Sequence, residues 1–101
     1  MRSREVRRVF DEGRSLHGDR VVLFLAPGSG GIAVVAGRRV GGAVERNRAR
    51  RILREAWRRA ATAGGDEDAV LVARAGIRGS KMQDLVTEMT KVKHPMDAGR
   101  K

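Results

Sequence analysis

The sequence predicts a single α/β domain with its elements in the order α-β-β-α-β-α. Three observations predict it. Residues 43–61 repeat apolar side chains with the 3.6-residue period of a helix. Residues 20–27, 32–36 and 69–73 are short runs rich in Val, Ile, Leu and Phe, the composition of strands. The strand, helix, strand passage across residues 32–73 implies a sheet with a crossover helix packed on it. With 101 residues the chain has room for one modest core.

The elements follow in order. Residues 3–12 form a short helix, because Val6, Val9 and Phe10 fall at i, i+3 and i+4. Ser3 is read as its N-cap, Glu5 suits the positive end of its dipole, and Gly13 stands at C′. The runs 20–27 and 32–36 flank the turn Gly28-Ser29-Gly30-Gly31, which is most simply an antiparallel hairpin. Neither run alternates with polar residues, so both sheet faces are covered or one face binds something. After Gly41 and Gly42 the long helix runs to Ala61, and Gly64-Gly65 ends it. Strand 69–73 and a turn at 76–79 lead to a last helix. Its opening is read as a Ser80–Gln83 capping box, and Met82, Leu85, Val86 and Met89 form its apolar face. The domain is expected to occupy residues 1–93, with 94–101 a loose tail.

Charge points to the partner. There are 22 Lys+Arg against 12 Asp+Glu, a net +10, which favours a polyanion. Most of the bases are arginine, whose planar fork of donors matches phosphate and stacks on bases. The absence of cysteine excludes disulfides and thiolate metal sites and suits a reducing compartment. No apolar run is long enough to span a bilayer, and the charged N-terminus does not read as a secretory signal. A cytoplasmic protein without a membrane partner is expected.

The long helix concentrates this charge. On a helical wheel Ala49, Ile52, Leu53, Ala56, Trp57 and Ala60 share one face, and Asn47, Arg50, Arg51, Arg54 and Arg58 share the opposite one. Arg46 borders the stripe, Arg48 and Arg59 flank it, and Arg38 and Arg39 extend it upstream. An ordinary charged helix is simply solvated, but it mixes signs, because opposite charges at i, i+4 stabilise and like charges repel. Arg50, Arg54 and Arg58 stack at i, i+4, i+8 with no acid among them, and a polyanion laid along them would reverse the repulsion. The helix start near Ala43 and Val44 offers backbone N–H groups to a phosphate. A DNA reader commonly adds a second helix beside the first. Here the neighbours are glycines and strands, so DNA is not expected.

Residues 37–57 resemble the protein subunit of bacterial ribonuclease P. The resembling residues are Arg38-Arg39, Gly41, Ala43-Val44, Arg46-Asn47-Arg48, Arg50-Arg51 and Leu53-Arg54-Glu55. Val9-Phe10, the "VVLF" and "VLVAR" strands and the last helix agree in order. The resemblance implies a small α-β sandwich with a left-handed βαβ crossover, where sequence alone would default to a right-handed one. It implies a subunit of a ribonucleoprotein that removes the 5′ leader from precursor tRNA. The RNA subunit would carry catalysis with RNA-bound magnesium, and the protein would bind no cofactor of its own. Arg38, Arg39, Arg46, Asn47, Arg48, Arg50, Arg51, Arg54 and Arg58 would face the catalytic RNA. Val6, Phe10 and Phe24 would line a cleft for the single-stranded leader, whose bases stack on aromatic rings. From the residues alone, core is the favoured reading of Phe10 and Phe24, and the resemblance brings the cleft reading level with it. Val6 and Gly42 depart from the family pattern, which often has an aromatic at the first position and asparagine at the second.

No residue constellation reads as an active site in the protein itself. His17 and His94 are isolated, as a turn residue and a tail residue. Asp66-Glu67-Asp68 reads as a solvated loop rather than a cation site. The turn at 28–31 lacks the Gly-Lys-Ser/Thr ending of a phosphate-binding loop. The alternative to the ribonuclease P subunit is a non-catalytic RNA-binding or ribosome-associated protein built on the same helix.

Overall fold

The computed structural model describes residues 2–60 and 66–93. Seven regular elements follow one another: α1 (Ser3–Glu12), β1 (Arg14–His17), β2 (Val21–Pro27), β3 (Ile32–Val35), α2 (Ala43–Arg59), β4 (Glu67–Ala73) and α3 (Met82–Lys93). The four strands make one mixed sheet in the order β1-β2-β4-β3. β2 pairs antiparallel with β1 and β4, while β3 pairs parallel with β4. The β3-α2-β4 passage is therefore the expected crossover unit. The Gly64-Gly65 stop and the tail from His94 lie outside the described residues.

Two expectations about the strands are corrected. β1 was not anticipated: "RSLH" has one apolar residue, as suits an exposed edge strand, and only Leu16 packs toward the main core. The expected hairpin does not form, because β4 inserts between β2 and β3. The segment 28–31 lies along the start of β4 instead of folding β3 back onto β2. The Gly28 N–H donates to the Asp66 carbonyl at 3.0 Å, and the Ala69 N–H donates to the Gly31 carbonyl at 2.9 Å. The Asp68 carboxylate accepts the N–H groups of Ser29 (3.2 Å) and Gly31 (2.8 Å). Gly28 has to be glycine at this approach, since a Cβ would lie 2.2 Å from the Asp68 carboxylate.

One face of the sheet is covered by α2 and α3, except at its β3 edge, where Ile32 and Val34 are half-buried. Val21, Leu23 and Leu25 of β2 and Leu71 of β4 meet Leu53, Ala56 and Trp57 of α2 and Leu85 and Met89 of α3. On the other face α1 covers only part of the sheet, with Val9 buried against Ala26 and Val70. β4, the interior strand flanked by β2 and β3, is buried on nearly every residue, which is why its sequence does not alternate.

Helix ends differ in detail from the sequence reading. α1 begins at Ser3, with Arg2 as N-cap and its N–H donated to Glu5 Oε1 at 2.9 Å. Gly13 follows α1 with negative φ, so it is not a left-handed cap. It is needed for closeness, because a Cβ would meet the carbonyls of Val9 and Leu25 at 2.5 Å. The Ser80–Gln83 box is displaced by one residue: the Lys81 N–H donates to Asp84 Oδ2 at 2.9 Å. Ser80 is buried, and its hydroxyl donates to the Gly76 carbonyl. The Gln83 amide donates to Thr87.

Full burial of a large apolar side chain stabilises by about 1.5–3 kcal/mol, against a few tenths for each like-charge arginine pair. Docking of α2 therefore outweighs repulsion along its outer face. Leu53→Ala should cost about 2–5 kcal/mol in urea unfolding. Val44→Ala, at a site 80% exposed on the same helix, should stay within about 0.5 kcal/mol.

Candidate nucleic-acid interface

α2 sorts its residues as the helical period requires. Ala49, Ile52, Leu53, Ala56 and Trp57 are buried. Asn47, Arg51, Arg54 and Arg58 are exposed, while Arg46 and Arg50 are half-buried. Asn47, Arg50, Arg51 and Arg54 border an open groove of about 800 Å³ whose apolar walls are Val34 of β3 and Met82 of α3. Asn47 Oδ1 accepts a hydrogen bond from Arg50 Nη2, which holds those two side chains together. Among the described residues, no carboxylate lies within ion-pair distance of Arg38, Arg39, Arg46, Arg50, Arg51 or Arg54.

Two members of the expected set, and the expected phosphate site at the helix start, behave otherwise. Arg48 lines the same groove but is tied down within the fold: its Nη2 donates to the Ser80 carbonyl at 2.6 Å, linking α2 to the segment just before α3. Arg58, expected to have no acid beside it, pairs with Glu55 at 2.7 Å, and Arg59 holds the same carboxylate at 3.2 Å. The start of α2 is occupied from within, since Glu45 Oε1 accepts the Gly42 N–H at 3.0 Å. That carboxylate places negative charge where a phosphate was expected, and Arg78 approaches it at 3.9 Å.

Val6, Phe10 and Phe24 come together on the opposite side of the sheet. Phe10 is 41% exposed and meets Phe24 edge-on, with ring centroids 4.7 Å apart. Val6 and Phe24 are half-buried around Val9. The two rings thus stand at the border where α1 stops covering the sheet, between a core position and a surface one. Val22, Val72, Ala33 and Val35 continue the same face as partly exposed apolar floor. β1 extends it, since Ser15 lies opposite Phe24 and His17 opposite Val22. His17 is therefore a strand residue rather than a turn residue, and its ring nitrogen lies 3.2 Å from the Ser15 hydroxyl.

The acidic run 66–68 is not simply solvated. Asp68 is buried, and its Oδ2 accepts from Arg8 Nη2 at 2.5 Å. Glu67 pairs with Arg14 at 3.4 Å. Glu88, nearly buried, accepts the N–H groups of Arg20 and Val21 and pairs with the Arg20 guanidinium at 3.0 Å. Sequence reasoning missed both Asp68 and Glu88. The available signal was a carboxylate at an inward position of an apolar strand or helix, where an acid has to be paired. Among the described residues, no group of three or more His, Cys, Asp or Glu is placed to hold a metal ion. No described helix is long and apolar enough to cross a membrane.

The arrangement matches known proteins over nearly its whole length. The profile of the family described as Ribonuclease P matches residues 1–96. A ribonuclease P protein component from Coprothermobacter proteolyticus is 49% identical over 51 residues, covering 50% of this chain and 43% of the relative. One from Dehalococcoides mccartyi is 40% identical over 77 residues, covering 73% and 63%. The matched stretches thus span less than two thirds of these relatives' own lengths. The fold is similar to the RNase P protein of Staphylococcus aureus, with a TM-score of 0.78 and 16% identity over 95% of this chain and 92% of that one. It is similar also to the RNase P protein of Thermotoga maritima, with a TM-score of 0.76 and 23% identity over 93% and 94%.

The split between bound and free arginines predicts different mutant behaviour. Arg48→Ala should lower stability by about 1–3 kcal/mol in urea unfolding, because the Ser80 carbonyl loses its charged donor. Arg54→Ala should leave stability within about 0.5 kcal/mol, as for other exposed sites.

Proposed function

Because the chain belongs to the ribonuclease P protein family, we propose that it is the protein subunit of a ribonuclease P ribonucleoprotein, bound to the catalytic RNA and to the 5′ leader of precursor tRNA. The observation that carries this reading is the row of arginines on α2 without carboxylate partners, together with Arg38 and Arg39. Arg46, Arg50, Arg51 and Arg54 contact phosphates of the catalytic RNA, and each contact releases a counterion. Asn47 orients Arg50 within the groove. Arg48 contributes indirectly, by holding α2 against α3, and Arg58 contacts RNA only by giving up Glu55.

The leader lies on the far side of the sheet. Phe10 and Phe24 offer ring faces to unpaired bases, and Val6 and the valines beside them supply apolar floor. Stacking of this kind tolerates any base, as a substrate class with varied leaders requires. With two rings in the cleft, the leader makes fewer stacks than a richer aromatic track would allow. The RNA subunit carries the bond cleavage, with magnesium held by RNA, and the protein lowers the magnesium needed by neutralising phosphate charge. A cytoplasmic location is part of the same proposal.

Adding the protein to the matching catalytic RNA at low magnesium should accelerate and tighten cleavage of precursor tRNA. Unchanged cleavage would favour a non-catalytic or ribosome-associated RNA binder. If five or six arginines meet phosphates, log affinity against log salt should have a slope of roughly −4 to −5. Replacing Arg50 and Arg54 together by alanine should reduce that slope by about one or two units. An unaltered slope with the fold intact would put the RNA on another face.

A further inference from the structure

A charged knot lies away from the arginine stripe, where α1, β4 and the 28–31 segment meet. Both oxygens of Asp68 are engaged. Oδ1 accepts the N–H groups of Ser29 and Gly31, and Oδ2 accepts from Arg8 Nη2. Arg8 Nη1 reaches on to the Pro27 carbonyl at 3.1 Å. The Asp68 side chain is 11% exposed, and that of Arg8 is 33% exposed. An ion pair buried this deeply is hard to justify by stability alone, since apolar residues in place of both partners are often as good.

The geometry of α1 suggests what the knot adds. α1 has ten residues, and of these only Val9 is fully buried. Apolar contact has no preferred direction, so a short helix resting on Val9 and the half-buried Val6 is only weakly held against rolling about its axis. Charge-assisted hydrogen bonds are directional. Arg8 and Phe10 are two residues apart, about 200° around the helix, with Val9 between them. Fixing Arg8 on one flank therefore fixes the height of the Phe10 ring on the other. That ring's position over Phe24 sets the opening at the edge of the uncovered sheet face.

We propose that the Arg8–Asp68 ion pair is a positioning device for single-stranded RNA: it fixes the roll of α1 and so holds Phe10 and Phe24 at the spacing that receives the leader. Neither residue touches the RNA. This role rests on the assignment of the Phe10–Phe24 face to the leader. It also gives the 28–31 segment a part, because Asp68 anchors that segment and α1 to the same strand.

The test uses the holoenzyme reconstituted from full-length protein and catalytic RNA. Its readout is the gain in affinity for precursor tRNA with a leader over the same tRNA without one. Asp68→Asn, Arg8→Gln and the double variant are compared with wild type. Each should reduce the leader-dependent gain about tenfold, the value of roughly one base–aromatic stack. The double variant should be no worse than either single one, and Arg8→Lys should recover part of the gain. Affinity for the catalytic RNA should not change. The ring-current shifts of Phe10 and Phe24 in NMR spectra of the free protein should diminish in the same variants. Arg8→Gln, at a partly exposed site, keeps the test decisive where Asp68→Asn does not fold. A folded Arg8→Gln protein with the full leader-dependent gain would overturn the positioning role and leave the leader site intact. A wild-type holoenzyme with no leader-dependent gain would overturn the leader assignment itself, and the positioning role with it.

Discussion

Leu53, Ala56 and Trp57 are buried in the core where α2 packs on β3, β4 and α3, and the direction of every side chain on the outer face of that helix follows from this packing. The helix cannot rotate to bring its arginines toward its own acids without exposing those three residues. Their burial is worth several kcal/mol in sum, while repulsion among the arginines costs a few tenths per pair. A charged surface that would be unfavourable on an isolated helix is thus held open by packing beneath it. Arg48 strengthens the arrangement from the side, through the Ser80 carbonyl.

The acids of the chain are placed so as to leave this surface charged. Asp68 takes Arg8, Glu67 takes Arg14 and Glu88 takes Arg20, all around the sheet and away from the groove. On α2 itself, Glu55 takes Arg58 and Arg59 near the C-terminal end, and Glu45 turns inward to the helix start. What remains is a patch of Arg38, Arg39, Arg46, Arg50, Arg51 and Arg54 with no carboxylate in ion-pair distance among the described residues. The aromatic pair lies on the opposite face of the sheet. A protein of this size can therefore offer a phosphate-binding surface and a base-stacking surface at once, with the sheet keeping them apart.

The helix faces were legible because a 3.6-residue period is local, and 17 residues repeat it several times. The strand pairing was not, because a four-residue glycine turn looks like a hairpin from either side. What decides against the hairpin is Asp68, some forty residues later in the chain, which draws the 28–31 segment onto β4. β1 escaped notice for a related reason: an edge strand with one inward residue carries almost no pattern. At the candidate site the wheel gave the direction of Arg48 and Arg58 but not their partners. Ser80 and Glu55 decide those two, one through tertiary contact and one through a neighbouring turn. Phe10 and Phe24 were hard to assign to core or cleft because they stand at the border: Phe24 is half-buried beside α1, and Phe10, on α1 itself, is 41% exposed.

Photocrosslinking gives the most direct test of whether packing beneath α2 aims its arginines at a folded RNA. A photoreactive side chain can replace Arg54, on the outer face of α2, or Thr87, on an exposed position of α3. If the stripe is the contact, the protein carrying it at position 54 crosslinks to the catalytic RNA and the one at position 87 does not. Crosslinking from position 87 alone would contradict that, and would place the RNA against α3.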